Sequence, residues 1–211
     1  YELITNAPGT YAALTIVNSE HIAVEGCRFY DMWDHCIVAN GDGAGRLAGD
    51  NATTNDITIS RCTFNNAGWY WSTWPDGAGI VPGPGQKITD NYIVDTYRGI
   101  EVYPMPDTDN STENRSITIV GNHILRSKGE AIMAIRLGGG VIAGNTIDNP
   151  VGYPADGSFD MGMRIELCQN VQFSANSIRN KSGGMVFYMA STNCTISENS
   201  FRNCGILISA A

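Results

Sequence analysis

The sequence predicts an all-β solenoid of about seven coils, each made of three strands. Three observations predict it. One eight-residue motif recurs down the chain as IAVEGCRF (22–29), ITISRCTF (57–64), QKITDNYI (86–93), ITIVGNHI (117–124), GVIAGNTI (140–147), VQFSANSI (171–178) and CTISENSF (194–201). Its key position is Cys27, Cys62, Asn91, Asn122, Asn145, Asn176 and Asn199, at spacings of 35, 29, 31, 23, 31 and 23 residues. A period in the twenties to thirties is the mark of a solenoid. Within each copy the apolar residues alternate with period two, as in a strand with one covered face. No window of about ten residues or more carries a helical period, so helix is nearly absent.

The first strand of each coil runs up to the Asn or Cys. In the second copy Ile57 and Ile59 point inward and Thr58 and Ser60 outward. A short second strand follows the corner, as in Thr63-Phe64 and His123-Ile124. A third strand comes next, usually introduced by Gly, at 99–103, 131–135, 162–166, 184–188 and 205–209. Residues 35–39 and 79–81 read as weaker copies of it, and 13–17 as the third strand of a preceding coil. Strands of successive coils then stack in parallel about 4.8 Å apart. Asn side chains stacked at that spacing hydrogen-bond to their counterparts above and below, forming a ladder. Two of the six Cys take the same slot, which suits small buried thiols better than a disulfide framework.

Composition narrows the partners. Lys and Arg number 13 against 21 Asp and Glu, a formal charge of −8, so nucleic acid is not an expected partner. No apolar run approaches the ~18 residues of a membrane span, so no membrane insertion is expected. Residues 1–211 read as one domain, and a first residue that is Tyr rather than Met suggests a piece of a longer chain. The chain starts and stops inside a coil, without a capping element at either end, so a partner or further chain is expected to cover the ends.

These motifs resemble the right-handed parallel β-helix of the pectate-lyase-like superfamily, and the copies tile nearly the whole chain. The resemblance is specific for fold and unspecific for chemistry. It implies that the face built by the third strands carries a polysaccharide cleft. The insertions agree with that placement. The 23-residue coils set the minimum turn, and the long additions at 41–56, 65–78, 104–116 and 148–161 all flank the third strand. Loops of the second and fifth coils become walls, and the third and fourth coils the floor.

Outward positions on that floor are Glu101 and Tyr103, Met133 and Ile135, Arg164 and Glu166, and Val186 and Tyr188. Glu101 and Arg164 share a column two coils apart, so their backbones stand ~9.6 Å apart, with Glu166 one column over. Side chains reaching across bring Glu101 and Glu166 to ~6.5–9.5 Å, the carboxyl separation of an inverting glycosidase. Asp160, at the end of the fifth-coil insertion, is the alternative second carboxylate. Glu101, Glu166, Asp160 and Arg164 are therefore the catalytic candidates. Arg98, Glu130, Tyr103 and Tyr188 join the substrate-binding set. So do Trp69, Trp71, Trp74 and Asp76 of a wall loop (WYWSTWPD, 69–76), whose flat aromatic faces suit the C–H faces of sugars. The competing reading of that loop is a hydrophobic lid or a subunit contact.

Three motifs mislead. Trp33-Asp34-His35 is similar to a pectate-lyase stretch but stands in a different turn and lacks the companion arginine motif. Arg164-Ile165-Glu166 is similar to a polygalacturonase motif whose partner motifs are absent. Asp107, Asp109, Asn110 and Glu113 space oxygen ligands as for calcium, without the Gly that a calcium loop needs at its sixth position. A solvated acidic loop is the better reading, so no cofactor and no metal are expected.

The sequence therefore predicts a polysaccharide-degrading enzyme, an endo-acting glycoside hydrolase or depolymerase. The narrower resemblance, to the central part of a bacteriophage tailspike, implies an extracellular or virion-surface location and a homotrimer. A lyase or epimerase, using Arg164, Arg98 and Tyr103, is the rival chemistry. A non-catalytic carbohydrate-binding adhesin is the rival class.

Overall fold

A computed structural model describes residues 2–4, 12–16, 19–39, 56–68, 77–83, 85–102, 116–154 and 159–208. Among them all regular structure is strand, and every strand pair is parallel. The strands form three sheets of seven, eight and eight. The first sheet holds the segments before the Asn corner, such as Ser116–Val120 and Gly139–Ala143. The second holds the segments after it, such as His123–Leu125 and Thr146–Asp148. The third runs Ala12–Thr15, His35–Ala39, Ala78–Pro82, Arg98–Val102, Ile132–Ile135, Met161–Glu166, Gly183–Tyr188 and Ile206–Ile208. Each coil visits the three sheets in turn, giving seven full coils preceded by one strand each of the second and third sheets. The strands predicted at 13–17, 35–39 and 79–81 are all present in the third sheet.

Unbroken register lets identical residue types stack. Ile59, Ile88, Ile119, Ile142 and Phe173 form one inward column. Phe64, Ile93, Ile124, Ile147 and Ile178 form a second, and Ile80, Ile100, Ile132, Met163 and Met185 a third. All of these side chains have 0 % exposure and meet along the axis. Each buried Ile or Phe contributes roughly 1.5–3 kcal/mol of transfer free energy, so the core is a continuous apolar rod. Ser60, expected to point to solvent, is instead covered, 3.5 Å from a carboxylate oxygen of Glu25 on the preceding coil.

The corner ladder forms as the motif predicts. The Nδ2 groups of Asn91, Asn122, Asn145 and Asn176 donate to Oδ1 of the next corner Asn at 3.0, 3.0, 3.0 and 2.9 Å. The same oxygens, and Oδ1 of Asn91, accept the backbone N–H of the preceding corner residue, Cys62 in the case of Asn91. Cys62 continues the column with its thiol, 3.3 Å from the Ser60 carbonyl. What the motif concealed is the residue just before each corner, which adopts positive φ: Gly26, Arg61, Asp90, Gly121, Gly144, Ala175 and Glu198. Gly suits this left-handed turn best. At Gly121 (φ 70°) a Cβ would also stand 2.5 Å from Oδ1 of Asp90.

The Gly that opens the third strand has a different cause. A Cβ on Gly99 would lie 2.8 Å from Cγ2 of Ile124, and one on Gly162 2.5 Å from Cγ2 of Ile178. The second and third sheets approach too closely there for any side chain. The insertions lie where predicted. Residues 40–55 and 103–115 fall between third-sheet and first-sheet strands, and 69–76 and 155–158 between second-sheet and third-sheet strands. Both edges of the third sheet thus carry long connections, and the Asn corner carries none.

Candidate functional site

Register puts the predicted floor residues where the spacing placed them. Glu101 pairs with Met133, and Met133 with Arg164. Ile135 pairs with Glu166, and Glu166 with Tyr188. The pairing of Ile100 with Ile132 also sets Arg98 beside Glu130 on the next coil. These positions are nevertheless not a solvated surface. Glu101 and Glu166 are each 8 % exposed, and Glu130 is 0 %.

The burial is explained by a chain of ion pairs across three coils. Glu101 Oε2 lies 3.2 Å from Arg98 Nη1. Arg98 Nε donates to Glu130 Oε2 at 2.9 Å, and Arg164 Nη1 to Glu130 Oε1 at 3.1 Å. Arg164 Nη2 completes the chain 2.6 Å from Glu166 Oε1. The order along the sheet is Glu101, Arg98, Glu130, Arg164, Glu166. Each guanidinium bridges two carboxylates, and Glu130 takes one guanidinium on each oxygen. Burial disfavours the Arg164 charge, but its hydrogen bonds to Glu166 and Glu130 outweigh it and hold the guanidinium above its ordinary pKa. Tyr188 lies under Arg164, with the guanidinium carbon 5.5 Å from the ring centre, and Tyr97 under Arg98 at 5.4 Å.

Asp160 belongs to another cluster, at the corner between the second and third sheets. Its Oδ1 lies 2.9 Å from Nζ of Lys181, and its Oδ2 accepts both the backbone N–H and the hydroxyl of Ser182. Lys181 also donates to the carbonyls of Ser127 and Gly129 at 2.8 and 2.9 Å. Its ammonium is thereby enclosed by two carbonyls and one carboxylate oxygen, and its side chain has 0 % exposure. Burial lowers its pKa and Asp160 opposes the shift. Beside this corner is an open depression of ≈340 Å³, bordered by Asn149, Tyr153, Asp160 and Asn180. Sequence reasoning missed Lys181, since one Lys after the second strand carries no periodic signal.

Other candidates divide clearly. Glu130, taken as a substrate contact, is fully buried, with one guanidinium on each carboxylate oxygen. Tyr103 and the wall-loop residues Trp69, Tyr70, Trp71, Trp74 and Asp76 lie outside the described residues, as does the acidic loop of Asp107, Asp109 and Glu113. His35 is structural. It is 4 % exposed, and its Nδ1 accepts the backbone N–H of Ala78 on the next coil at 3.0 Å. Among the described residues no group of three or more His, Cys, Asp and Glu is arranged to hold a metal ion.

A family model described as a right-handed β-helix region matches residues 107–211. With three parallel sheets wound in turn around one apolar rod, the fold is settled. The chain is a right-handed parallel β-helix. No curated protein and no solved structure matches it. The β-helix fold is found in many carbohydrate-active enzymes, and here its third sheet presents a carboxylate and guanidinium cluster between long connections.

Proposed function

We propose that this β-helix binds a polysaccharide along the outward face of its third sheet and hydrolyses it. The observation that carries the reading is the chain of three carboxylates and two guanidiniums on a solenoid face whose two edges alone bear long insertions. Glycosidic hydrolysis needs one carboxyl group to protonate the leaving oxygen and another to activate water. Glu101 and Glu166 end the chain and take these roles. Two coil spacings and two residues along a strand separate their Cα atoms by about 12 Å. Two glutamate side chains turned toward each other shorten that to the ~6.5–9.5 Å of an inverting pair. Arg98 and Arg164 hold the two carboxylates, and the stacked Tyr97 and Tyr188 rings stiffen the arginines. Asp160, with both oxygens committed to Lys181 and Ser182, serves the corner instead.

The test is incubation with a panel of bacterial and plant polysaccharides, followed by assay for new reducing ends and for unsaturated sugars. New reducing ends without unsaturation support hydrolysis. Unsaturated ends move the chemistry to a lyase, and binding without any product makes the protein an adhesin.

A further inference from the structure

Two guanidiniums facing one carboxylate make a receptor for carboxylate groups. In this protein the seat is already taken. Arg98 Nε and Arg164 Nη1 converge on Glu130, which has 0 % exposure and gives one oxygen to each. Arg98 Nη1 also donates to Glu101 Oε2, and Arg164 Nε to Glu166 Oε1. Lys181, the cation at the neighbouring corner, is spent on Asp160 and two backbone carbonyls. The five charges of the chain therefore sum to one net negative.

We infer that Glu130 is a specificity-determining residue that fills, with the protein's own carboxylate, the seat a sugar acid would take, so the face accepts neutral glycans and excludes polyuronates. The inference rests on the polysaccharide reading and deepens it. It also bears on the chemistry. A β-eliminating lyase removes the C5 proton of a uronate, acidified by the adjacent carboxyl group, and the electron pair expels the C4 oxygen. A neutral sugar has no such carboxyl group, so excluding uronates leaves hydrolysis as the reaction this face can perform.

Affinity electrophoresis at about 0.15 M salt tests it, with gels containing polygalacturonate, dextran, galactomannan or starch. Wild type is expected to pass polygalacturonate unretarded, including at about 0.5 M salt, where long-range repulsion by the acidic chain is screened. Glu130→Gln and Glu130→Ala are expected to gain polygalacturonate binding by about ten-fold or more, because the two guanidiniums lose their internal partner. Thermal melting confirms that each variant is folded. Should neither fold, the wild-type gels decide alone, retardation by polygalacturonate overturning the inference and free passage through it, while a neutral gel retards the protein, supporting it. Retardation of wild type by polygalacturonate, or no gain in a folded variant while a neutral gel retards wild type, overturns the filled seat and leaves the polysaccharide reading standing. If no gel retards any form of the protein, the polysaccharide reading falls and this inference with it.

Discussion

The side-chain amide of Asn122 donates to Oδ1 of Asn145 at 3.0 Å, and that oxygen also accepts the Asn122 backbone N–H at 2.9 Å. Both residues are fully buried, so a corner Asn replaced by Ala strands donors and acceptors on two neighbouring coils. Asn122→Ala should lower stability by about 1–3 kcal/mol. Ser200, an exposed residue on a second-sheet strand, should tolerate Ala within about 0.5 kcal/mol. Denaturant titration measures both, and equal midpoints would sink the load-sharing role of the ladder.

The carboxylates of the third sheet should separate by function. Glu101→Gln and Glu166→Gln keep shape and lose the ionisable group, so each should cost at least about 10²-fold in hydrolysis of an identified substrate. Asp160→Asn should lower the melting temperature through Lys181 and Ser182, with a rate near wild type at low temperature. Full turnover in both glutamine variants would place catalysis elsewhere.

Close packing of the second and third sheets predicts an asymmetry between two glycines. Gly162→Ala drives a Cβ to 2.5 Å from Ile178 Cγ2 and from the Gly184 carbonyl oxygen, and should cost about 1–3 kcal/mol. At Gly205 an added Cβ meets nothing within 4 Å, and Ala should be neutral. Comparable melting temperatures for the two variants would contradict the steric account.

Lys181 gives a pH signature. Burial holds its folded pKa below the ordinary value of 10.5. Between the folded pKa and the unfolded one the unfolded chain binds more protons, so this residue's contribution to stability rises with pH through that window. The stability of wild type relative to Lys181→Met should therefore climb as pH is raised toward 10.5. A relative stability that falls instead would mean that attraction to Asp160 outweighs desolvation.

The sequence by itself determined the coil. Stacking in register makes each repeat report on the next, so the corner ladder, the inward columns and the shared column of Glu101, Met133 and Arg164 were all legible from spacing. The positive φ before each corner was not, because Arg61, Asp90, Ala175 and Glu198 occupy it as well as Gly. The pairing of side chains was decided only in three dimensions. Arg98 and Glu130 stand at the opening of the third strand, where corners of unequal length break the period, and nothing in one coil tells how far a side chain reaches into the next. Sequence reasoning thus counted Glu130 among the substrate contacts, and Asp160 as the alternative second carboxylate. Tertiary structure buried the first between two guanidiniums and turned the second to Lys181, because a carboxylate out of water is stable only where cations and hydrogen-bond donors surround it.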